Sequence, residues 1–252
     1  MRQASRVLGR FGELRREGGV GALVGKVARV AGEYARSASA ARELRRRSAR
    51  ELTLDQALDL AYSFEHRGVR IPPLQHRSEI EALLNQVEAA RPERVLEIGI
   101  GFGGTLFLLT RVASDGARVA AIDLPPMPRR YHPSRELVFR SFARRRQRVR
   151  VFPTDSHDPR TLARVRRFLA GPVDLLLIDG DHSYEGVSRD WELYRPLVRP
   201  GGLVAIHDVV PAAAGVSRFW TELKASGEGD FGEIVGRWEQ VGGGIGVVRV
   251  SG

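Results

Sequence analysis

The sequence has no cysteine, and this absence excludes whole classes of site. A disulfide, a thiolate zinc site and a cysteine nucleophile are all impossible. No apolar run approaches the length of a membrane span, and the first residues lack the continuous apolar core of a signal peptide. These absences suit a reducing compartment, so we expect a cytoplasmic protein with no transmembrane segment.

Lysine is almost absent as well. Only Lys26 and Lys224 accompany the arginines that dominate the formal charge of +10, and the basic residues concentrate in 2–50 and 129–150. Because an arginine bias also follows from a GC-rich genome, the arginine count does not by itself indicate nucleic-acid binding. A chain of 252 residues is long enough for one sizeable α/β domain plus an extension.

The basic N-terminal segment predicts a unit separate from the rest. We expect an extension over 1–52 and a catalytic domain over 53–252. Apolar residues of the extension follow helical spacing, but glycines interrupt them. Three alternatives stay open: a solvated, partly ordered leader, a helix that packs on the domain or on a second subunit of a homo-oligomer, and a contact with a membrane or another anionic surface.

Alternating strand-like and helical runs fill the remainder of the chain. The alternation predicts an α/β fold with a doubly wound, mainly parallel, Rossmann-like sheet of seven strands, a terminal antiparallel pair and an N-terminal helical extension. Thr53 or Asp55 is expected to cap one helix before the sheet, and Ser78 a second. The predicted strands are 94–98, 118–123, 148–153, 173–179, 202–207, 233–236 and 244–250; the helices between the first five are 105–113, 134–146, 160–170 and 184–198.

The segment 95–105 is the most informative part of the chain. A strand ends near Glu97, a glycine-rich turn with Gly99 and Gly101 follows, and an apolar helix begins. Glycines permit positive φ and remove the Cβ that blocks close approach, and the helix N-terminus offers unpaired N–H groups. Glu97 lies at the strand end, where open α/β sheets bind ligands. A carboxylate there repels a diphosphate and suits a ligand with hydroxyls or positive charge.

The turn alone leaves two other readings open. Gly99, Gly101 and Gly104 also fit a dinucleotide-binding turn, with Asp123 as a ribose-binding acid about 20 residues further on. That pattern favours a nicotinamide-dependent oxidoreductase. The glycines are also compatible with a tight turn that binds nothing.

Two later segments change this balance. The chain reads VDLLLIDGDHSYEGV from Val173 and PGGLVAIHDV from Pro200. Together with Glu97-x-Gly99-x-Gly101 they resemble the class I S-adenosylmethionine-dependent methyltransferases. They are most similar to the bacterial O-methyltransferase branch related to catechol and macrocin-type enzymes and to the cephalosporin hydroxylase group. The resemblance implies methyl transfer to a hydroxyl oxygen of a small sugar-like or phenol-like acceptor, with assistance from a divalent metal.

The resemblance also implies roles for individual residues. The methionine end of S-adenosylmethionine falls to the glycine turn, the ribose to the end of the second strand and the adenine to the end of the third. A segment before the sheet covers the cofactor, which places Gln75 and His76 near the site. The implied cofactor-binding residues are Glu97, Gly99, Gly101, Thr105, Asp123, Asp155 and Ser156.

Acids and histidines also end the fourth and fifth strands. The resemblance implies that Asp179 and Asp208 hold a metal such as Mg²⁺, which would direct the acceptor hydroxyl and lower its pKa. His207 departs from the oxygen ligands of metal-dependent relatives, and imidazole is a poor magnesium ligand. The expected catalytic set is Asp179, His182 and His207, because either imidazole serves as a general base when no metal binds.

Three further expectations concern neighbouring residues and a different function. Asp181 is expected to hold His182 in one tautomer, and Asp190 to be a structural partner. The basic loop 124–148 is expected either to border the acceptor pocket or to form a solvated face. A non-catalytic protein that docks anionic surfaces stays an alternative. Nucleic acid is not an expected partner, because the Asn/Asp-Pro-Pro-aromatic signature of base methyltransferases is absent.

Overall fold

The computed structural model describes residues 2–124, 133–210, 214–227, 229–236 and 242–251, without the side chains of 2–20, 23 and 214. The helices are α1 (Arg2–Arg47), α2 (Leu54–Ser63), α3 (Arg77–Glu88), α4 (Gly104–Val112), α5 (Arg135–Arg140), α6 (Pro159–Leu169), α7 (Tyr184–Tyr194) and α8 (Ala214–Ser226). The strands are β1 (Glu65–His66), β2 (Val69–Arg70), β3 (Arg94–Ile98), β4 (Arg118–Asp123), β5 (Arg148–Pro153), β6 (Val173–Ile178), β7 (Val198–His207), β8 (Asp230–Ile234) and β9 (Ile245–Arg249).

Seven strands form the central sheet in the order β5-β4-β3-β6-β7-β9-β8. The strands from β3 to β7 are parallel, and β9 runs antiparallel to both β7 and β8. The predicted doubly wound sheet with a terminal antiparallel pair is therefore confirmed. Strand order reverses between β3 and β6, and open α/β sheets bind ligands beyond the strand ends at such a point.

Alternate side chains of the strands enter two separate cores. Val95 packs in the core under α2, α3 and α4, whereas Leu96 packs in the core that contains Tyr194 and Trp220 from α7 and α8. Because side chains alternate along a strand, Glu97 faces the same side as Val95. The position of Glu97 in β3 therefore directs its carboxylate towards α4 and the segment before the sheet.

Several predicted boundaries are wrong. Helix α7 ends at Tyr194 instead of 198, and β8 spans Asp230–Ile234 instead of 233–236. Helix α3 begins at Arg77 and not after Ser78, and His76 before it still has an extended backbone. Helix α5 ends at Arg140 instead of 146, before a turn in which Arg145 has φ of +47°. Strand β7 begins at Val198, four residues early, because Val198 pairs with Val173.

Other local expectations hold. Thr53 caps α2 in a capping box with Gln56. The described part of the chain contains no helix long and apolar enough to cross a membrane. Most of the proline-rich half of the predicted basic loop, 125–132, lies outside the described residues.

The extension is one continuous helix in spite of its glycines. Its last turns pack on the domain: Ala40 and Leu44 are buried, and the Ser37 hydroxyl lies 2.8 Å from that of Ser134 at the start of α5. Further towards the N-terminus the same helix is exposed, including Val27 and Tyr34. The C-terminal part of α1 is therefore anchored, and its middle part stands away from the sheet.

Candidate active site

Glu97 is a buried carboxylate with an unsatisfied oxygen. Its side chain is 1% exposed, and Oε2 has no hydrogen-bond partner among the described residues. Burial raises the pKa of Glu97 well above 4.5, and the charges of Asp179 and Asp123 raise it further. A buried carboxylate oxygen without a donor is costly, so this position requires either a proton or a cation.

Asp123 ends the neighbouring strand β4 and closes the glycine turn. Its Oδ2 accepts the Ile100 N–H at 3.2 Å. Burial raises the pKa of Asp123, and the backbone N–H groups of Ile100, Leu124 and Gly101 offset part of this rise. The carboxylate therefore has backbone donors but no side-chain cation among the described residues.

The glycines of the turn are crowded by the protein itself. Gly99 has φ of +87°, and a Cβ there would lie 1.9 Å from the carbonyl oxygen of Asp179. Gly101 has φ of +53°, and a Cβ there would lie 2.9 Å from Leu74 Cδ1. The turn therefore packs between the end of β6 and the segment before the sheet. A role of these glycines in cofactor binding stays a prediction.

Gln75 fastens the segment before the sheet over the site. Its amide nitrogen donates to Asp179 Oδ2 at 2.5 Å, and its amide oxygen accepts from Thr105 Oγ1 at 2.6 Å. The Tyr62 hydroxyl donates to the Gln75 carbonyl at 2.7 Å. Thr105, predicted beside the methionine end, therefore contacts Gln75, and the buried Gln75 side chain connects α4 to the end of β6.

Acids and imidazoles alternate at the ends of β6 and β7. His207 Nδ1 lies 3.0 Å from Asp179 Oδ1, and His182 Nδ1 lies 2.8 Å from Asp208 Oδ2. His182 Nε2 also approaches Asp179 Oδ1, at 3.7 Å. Asp208 has φ of +66°, and its Oδ1 accepts the Gly243 N–H at 2.9 Å. The sheet thus brings the four predicted catalytic and metal residues together.

One expected contact in this group is wrong. Asp181 does not hold His182: its Oδ1 accepts the Ser183 N–H at 2.9 Å, at the start of α7. Asp208 faces His182 instead. An acid two residues before the helix cap satisfies a nearer backbone donor, so sequence proximity predicted the wrong partner.

The pKa values of His182, His207 and Asp208 are shifted by their surroundings. The hydrogen bond to Asp208 raises the pKa of His182. Burial opposes protonation of His207, but Asp179 and Asp208 raise its pKa overall. Burial alone would raise the pKa of Asp208, yet His182 and His207 lower it to about 2. Each imidazole therefore stabilises the ionised form of a neighbouring acid.

Three of these side chains fit a divalent metal. Asp179, His182 and Asp208 each offer a ligand atom, and the three atoms lie within 4.8 Å of one another. Two carboxylate oxygens and one imidazole nitrogen suit first-row transition ions better than Mg²⁺. His207 is not a member of this set, and its Nε2 is buried without a partner among the described residues.

The predicted adenine residues follow β5. Asp155 is exposed and its Oδ1 accepts the His157 N–H at 2.8 Å, whereas Ser156 is half-buried. Asp158 caps α6 through the Arg160 N–H. Strand β5 pairs with β4, so this corner lies at the same sheet edge as Asp123.

Comparisons with known proteins give a match to one family over the central segment. Residues 96–209 match the model of a family described as a methyltransferase domain. This segment runs from within β3 to just beyond β7 and contains every residue predicted to bind the cofactor, to react or to hold a metal. The match agrees with the predicted class over this segment, which is less than half of the chain.

Individual relatives are distant. The Sinorhizobium fredii protein y4gI is 30% identical over 145 residues, which are 55% of this chain; the chain spans only 16% of that relative. The Bacillus cereus O-methyltransferase in complex with SAH has a TM-score of 0.55 at 20% identity, over 78% of this chain and 90% of that one. The MycE methyltransferase of the mycinamycin pathway, with Mg and SAH, has a TM-score of 0.52 at 20% identity, over 80% and 55% of the two chains. These two structures show the shared fold.

Proposed function

We propose that this chain transfers a methyl group from S-adenosylmethionine to a hydroxyl oxygen of a small molecule, such as a sugar or a phenol. The observation that carries the proposal is the unsatisfied carboxylate of Glu97 between Asp123 and Asp179. S-adenosylmethionine carries an ammonium group and a sulfonium, so it supplies the positive charge that this side of the site lacks. The structures with SAH that share the fold support the choice of cofactor.

In this proposal the chain aligns donor and acceptor more than it reacts itself. Glu97 binds the cationic methionine end over Gly99 and Gly101, with Thr105 beside it. Asp123 receives the ribose hydroxyls, because a carboxylate at a strand end has acceptor capacity for a diol. The adenine lies at Asp155 and Ser156. Gln75 holds Asp179 in a fixed orientation. It thereby links the donor half of the site, which is Glu97 and Asp123 at the ends of β3 and β4, to the acceptor half at the ends of β6 and β7.

The acceptor half removes the hydroxyl proton. Asp179, His182 and Asp208 would hold a divalent ion, which when bound lowers the pKa of a coordinated hydroxyl. When no ion binds, His182 is the exposed candidate base, since its side chain is 51% exposed while His207 is buried. His207 then orients Asp179 through the contact of its Nδ1 with Asp179 Oδ1.

Titration of the full chain with SAH, the demethylated product, tests the proposal. We expect calorimetry to show binding, and NAD at the same concentration to give none, because Glu97 opposes a pyrophosphate. Binding of NAD and not of SAH by the folded protein would favour the oxidoreductase. A screen of hydroxylated metabolites with labelled S-adenosylmethionine then identifies the acceptor class.

We also propose the division into an extension, 1–52, and a catalytic domain, 53–252, in a cytoplasmic protein. The exposed apolar side chains of α1 support contact with a second copy of the chain. These exposed side chains follow helical spacing and precede the buried residues Ser37 and Leu44 along the helix. They are Val24, Val27, Val30 and Tyr34. Light scattering of the full chain and of Val30→Asp tests this; retention of the full chain on anionic vesicles would favour the surface-contact alternative.

A further inference from the structure

Residues of both basic stretches of the sequence, 2–50 and 129–150, line one cleft that the proposed reaction does not use. The cleft has a volume of about 280 Å³ and lies where the end of α1 faces the end of α4 and the turn after α5. Glu51 and five arginines supply its charged side chains, so the cleft is strongly positive. The arginines are Arg45, Arg50, Arg111, Arg144 and Arg145.

Most of these arginines lack an acid. Arg145 contacts Asp115, and its Nη2 lies 3.7 Å from Glu51 Oε2. The other four arginines form no ion pair with any side chain that the structure describes. Like charges that converge in one place repel one another unless an opposite charge lies between them. The cleft is therefore short of negative charge.

Arg111 is the buried member of this set, with 9% of its surface exposed. Its Nη2 donates to the Phe142 carbonyl, and its guanidinium lies over the Phe107 ring, 4.6 Å from the centroid. Burial lowers the pKa of Arg111 to about 9, and the charge of Arg144 contributes to this. No hydrogen bond within the described part of the chain uses Arg111 Nη1. A buried cation thus keeps donors for a ligand in the cleft.

Arg144 keeps unused donors as well. Its Nη2 donates to the Arg111 carbonyl at 2.7 Å, but its Nε is buried and has no partner among the described residues. Burial lowers the pKa of Arg144, and Glu51 and Asp115 offset only part of this. Two neighbouring guanidiniums, from α4 and from the turn after α5, therefore face the same deficit of charge and of acceptors.

The residue type and the size of the cleft indicate the ligand. A guanidinium is a planar fork of donors that matches the oxygens of a phosphate. A phosphate group carries a charge of about −1.5 to −2 near neutral pH, so it balances several arginines better than one carboxylate does. The cleft is close to the lower limit of about 300 Å³ for small-molecule pockets, which favours a small anion and not a nucleotide.

We propose that this cleft binds a small phosphate-bearing anion such as pyrophosphate, with Arg45 and Arg50 on one side and Arg111 and Arg144 on the other. The bound anion fastens the end of α1 to the domain. The turn after α5 leads into the amino end of β5, whereas the candidate active site lies at the carboxyl ends of the strands. The inference therefore does not depend on the proposed function.

Calorimetry and thermal unfolding of the full chain with sodium pyrophosphate, at constant ionic strength, test this site. We expect saturable binding and a rise in Tm, because a ligand that binds only the folded protein stabilises it. Arg45→Gln should weaken binding about tenfold, near the value of one hydrogen bond to a charged group. Arg46→Gln is the matched control: it removes the same charge one position further on, but Arg46 pairs with Glu43 and does not line the cleft.

Arg144→Gln provides a second variant, on the domain side, and should weaken binding at least as much. Absence of binding by the wild type would overturn the site. So would stabilisation that does not saturate and is equal in the wild type, Arg45→Gln and Arg46→Gln, because that is general screening of charge. A wild type that binds pyrophosphate and not SAH would keep this site and overturn the proposed function.

Flotation with vesicles distinguishes a soluble phosphate from the phosphate of a lipid headgroup. If the ligand is a lipid, phosphatidylcholine vesicles that contain phosphatidic acid should retain the wild type and Arg46→Gln, and retain Arg45→Gln less. Binding of pyrophosphate without retention on these vesicles would identify a soluble ligand.

Discussion

The two halves of the site handle their carboxylates in opposite ways. At the ends of β6 and β7, Asp179 and Asp208 each face an imidazole, and the pKa of Asp208 falls to about 2. At the ends of β3 and β4, Glu97 and Asp123 face no side-chain cation among the described residues, and the pKa of each is raised. The acceptor half is therefore balanced by the chain itself. The donor half is left short of positive charge, which is what a cationic cofactor supplies.

This difference gives the ligand-free protein a defined pH dependence. The pKa of Glu97 is raised above 4.5 in the folded state. Its contribution to the free energy of unfolding is therefore complete below 4.5 and is lost as the pH rises through the raised value. Asp208 behaves in the opposite sense: its contribution is present above its ordinary 3.8 and is lost as the pH falls towards 2.

Asp179→Asn should have the largest effect, because Asp179 contacts both halves. We expect activity to fall by about 10²–10⁴-fold, the usual contribution of general acid–base catalysis, because Asp179 supports the group that removes the proton. The Kd for SAH should change little. Steady-state kinetics and calorimetry measure the two quantities. Equal loss of activity and of binding would indicate that Asp179 serves the fold of the site and not the reaction.

Glu97→Gln should separate stability from binding. A hydrogen bond to a charged group contributes about 1.5–3 kcal/mol, so the Kd for S-adenosylmethionine should rise roughly 10- to 150-fold. Removal of the buried charge should make the ligand-free variant more stable than the wild type at pH 8, and equally stable near pH 4. Urea unfolding at both pH values checks this. A less stable variant at pH 8 would contradict the charge deficit.

His182→Asp should change the metal preference of the acceptor half. The wild-type donor set suits Mn²⁺ or Co²⁺ more than Mg²⁺, so a chelator-treated enzyme should regain more activity with the transition ions. An all-oxygen set should shift the ratio of apparent affinities towards Mg²⁺ by about tenfold, within the range for altered metal sites. His76→Asp is the control. Full activity of the chelator-treated wild type would remove the metal from the account.

Asp208→Asn should produce the smallest change, a shift in titration. The hydrogen bond that His182 donates to Asp208 is the main reason that the pKa of His182 is raised, so the variant should lower that pKa and move the acidic limb of the metal-free pH–rate profile to lower pH. Imidazole NMR measures the shift directly. Asp181→Asn should move it less, since Asp181 faces the Ser183 N–H. Equal shifts in the two variants would contradict the assigned pairing.

The fold could be predicted from the sequence because strands and helices alternate with clear periodicity. Parallel strands also have their carboxyl ends at one edge of the sheet. That rule alone brings Glu97, Asp123, Asp179 and Asp208 to one side of the sheet. It does not predict pairings across the chain. The contact of Gln75 with Asp179 joins residues 104 positions apart, and no local pattern indicates it.

The partner of His182 was missed for a related reason. Asp181 is adjacent to His182 in sequence, but its carboxylate accepts a backbone N–H. Asp208 follows the neighbouring strand β7, has a left-handed backbone and contacts His182 instead. The same limit applies to α5, whose early end at Arg140 precedes a turn that local helix propensity does not show. The contact of His182 with Asp208 joins two strand ends, which a single sequence does not display.

Proton release on binding of SAH tests the central claim most directly. Burial and the neighbouring acids raise the pKa of Glu97 in the ligand-free protein, and an arriving ammonium group lowers it. Calorimetry in two buffers of different ionisation enthalpy, repeated from pH 5 to pH 8, should therefore show a pH range in which the wild type releases protons and Glu97→Gln releases fewer. Equal proton release from both proteins would contradict the claim that Glu97 binds the cationic end of the ligand.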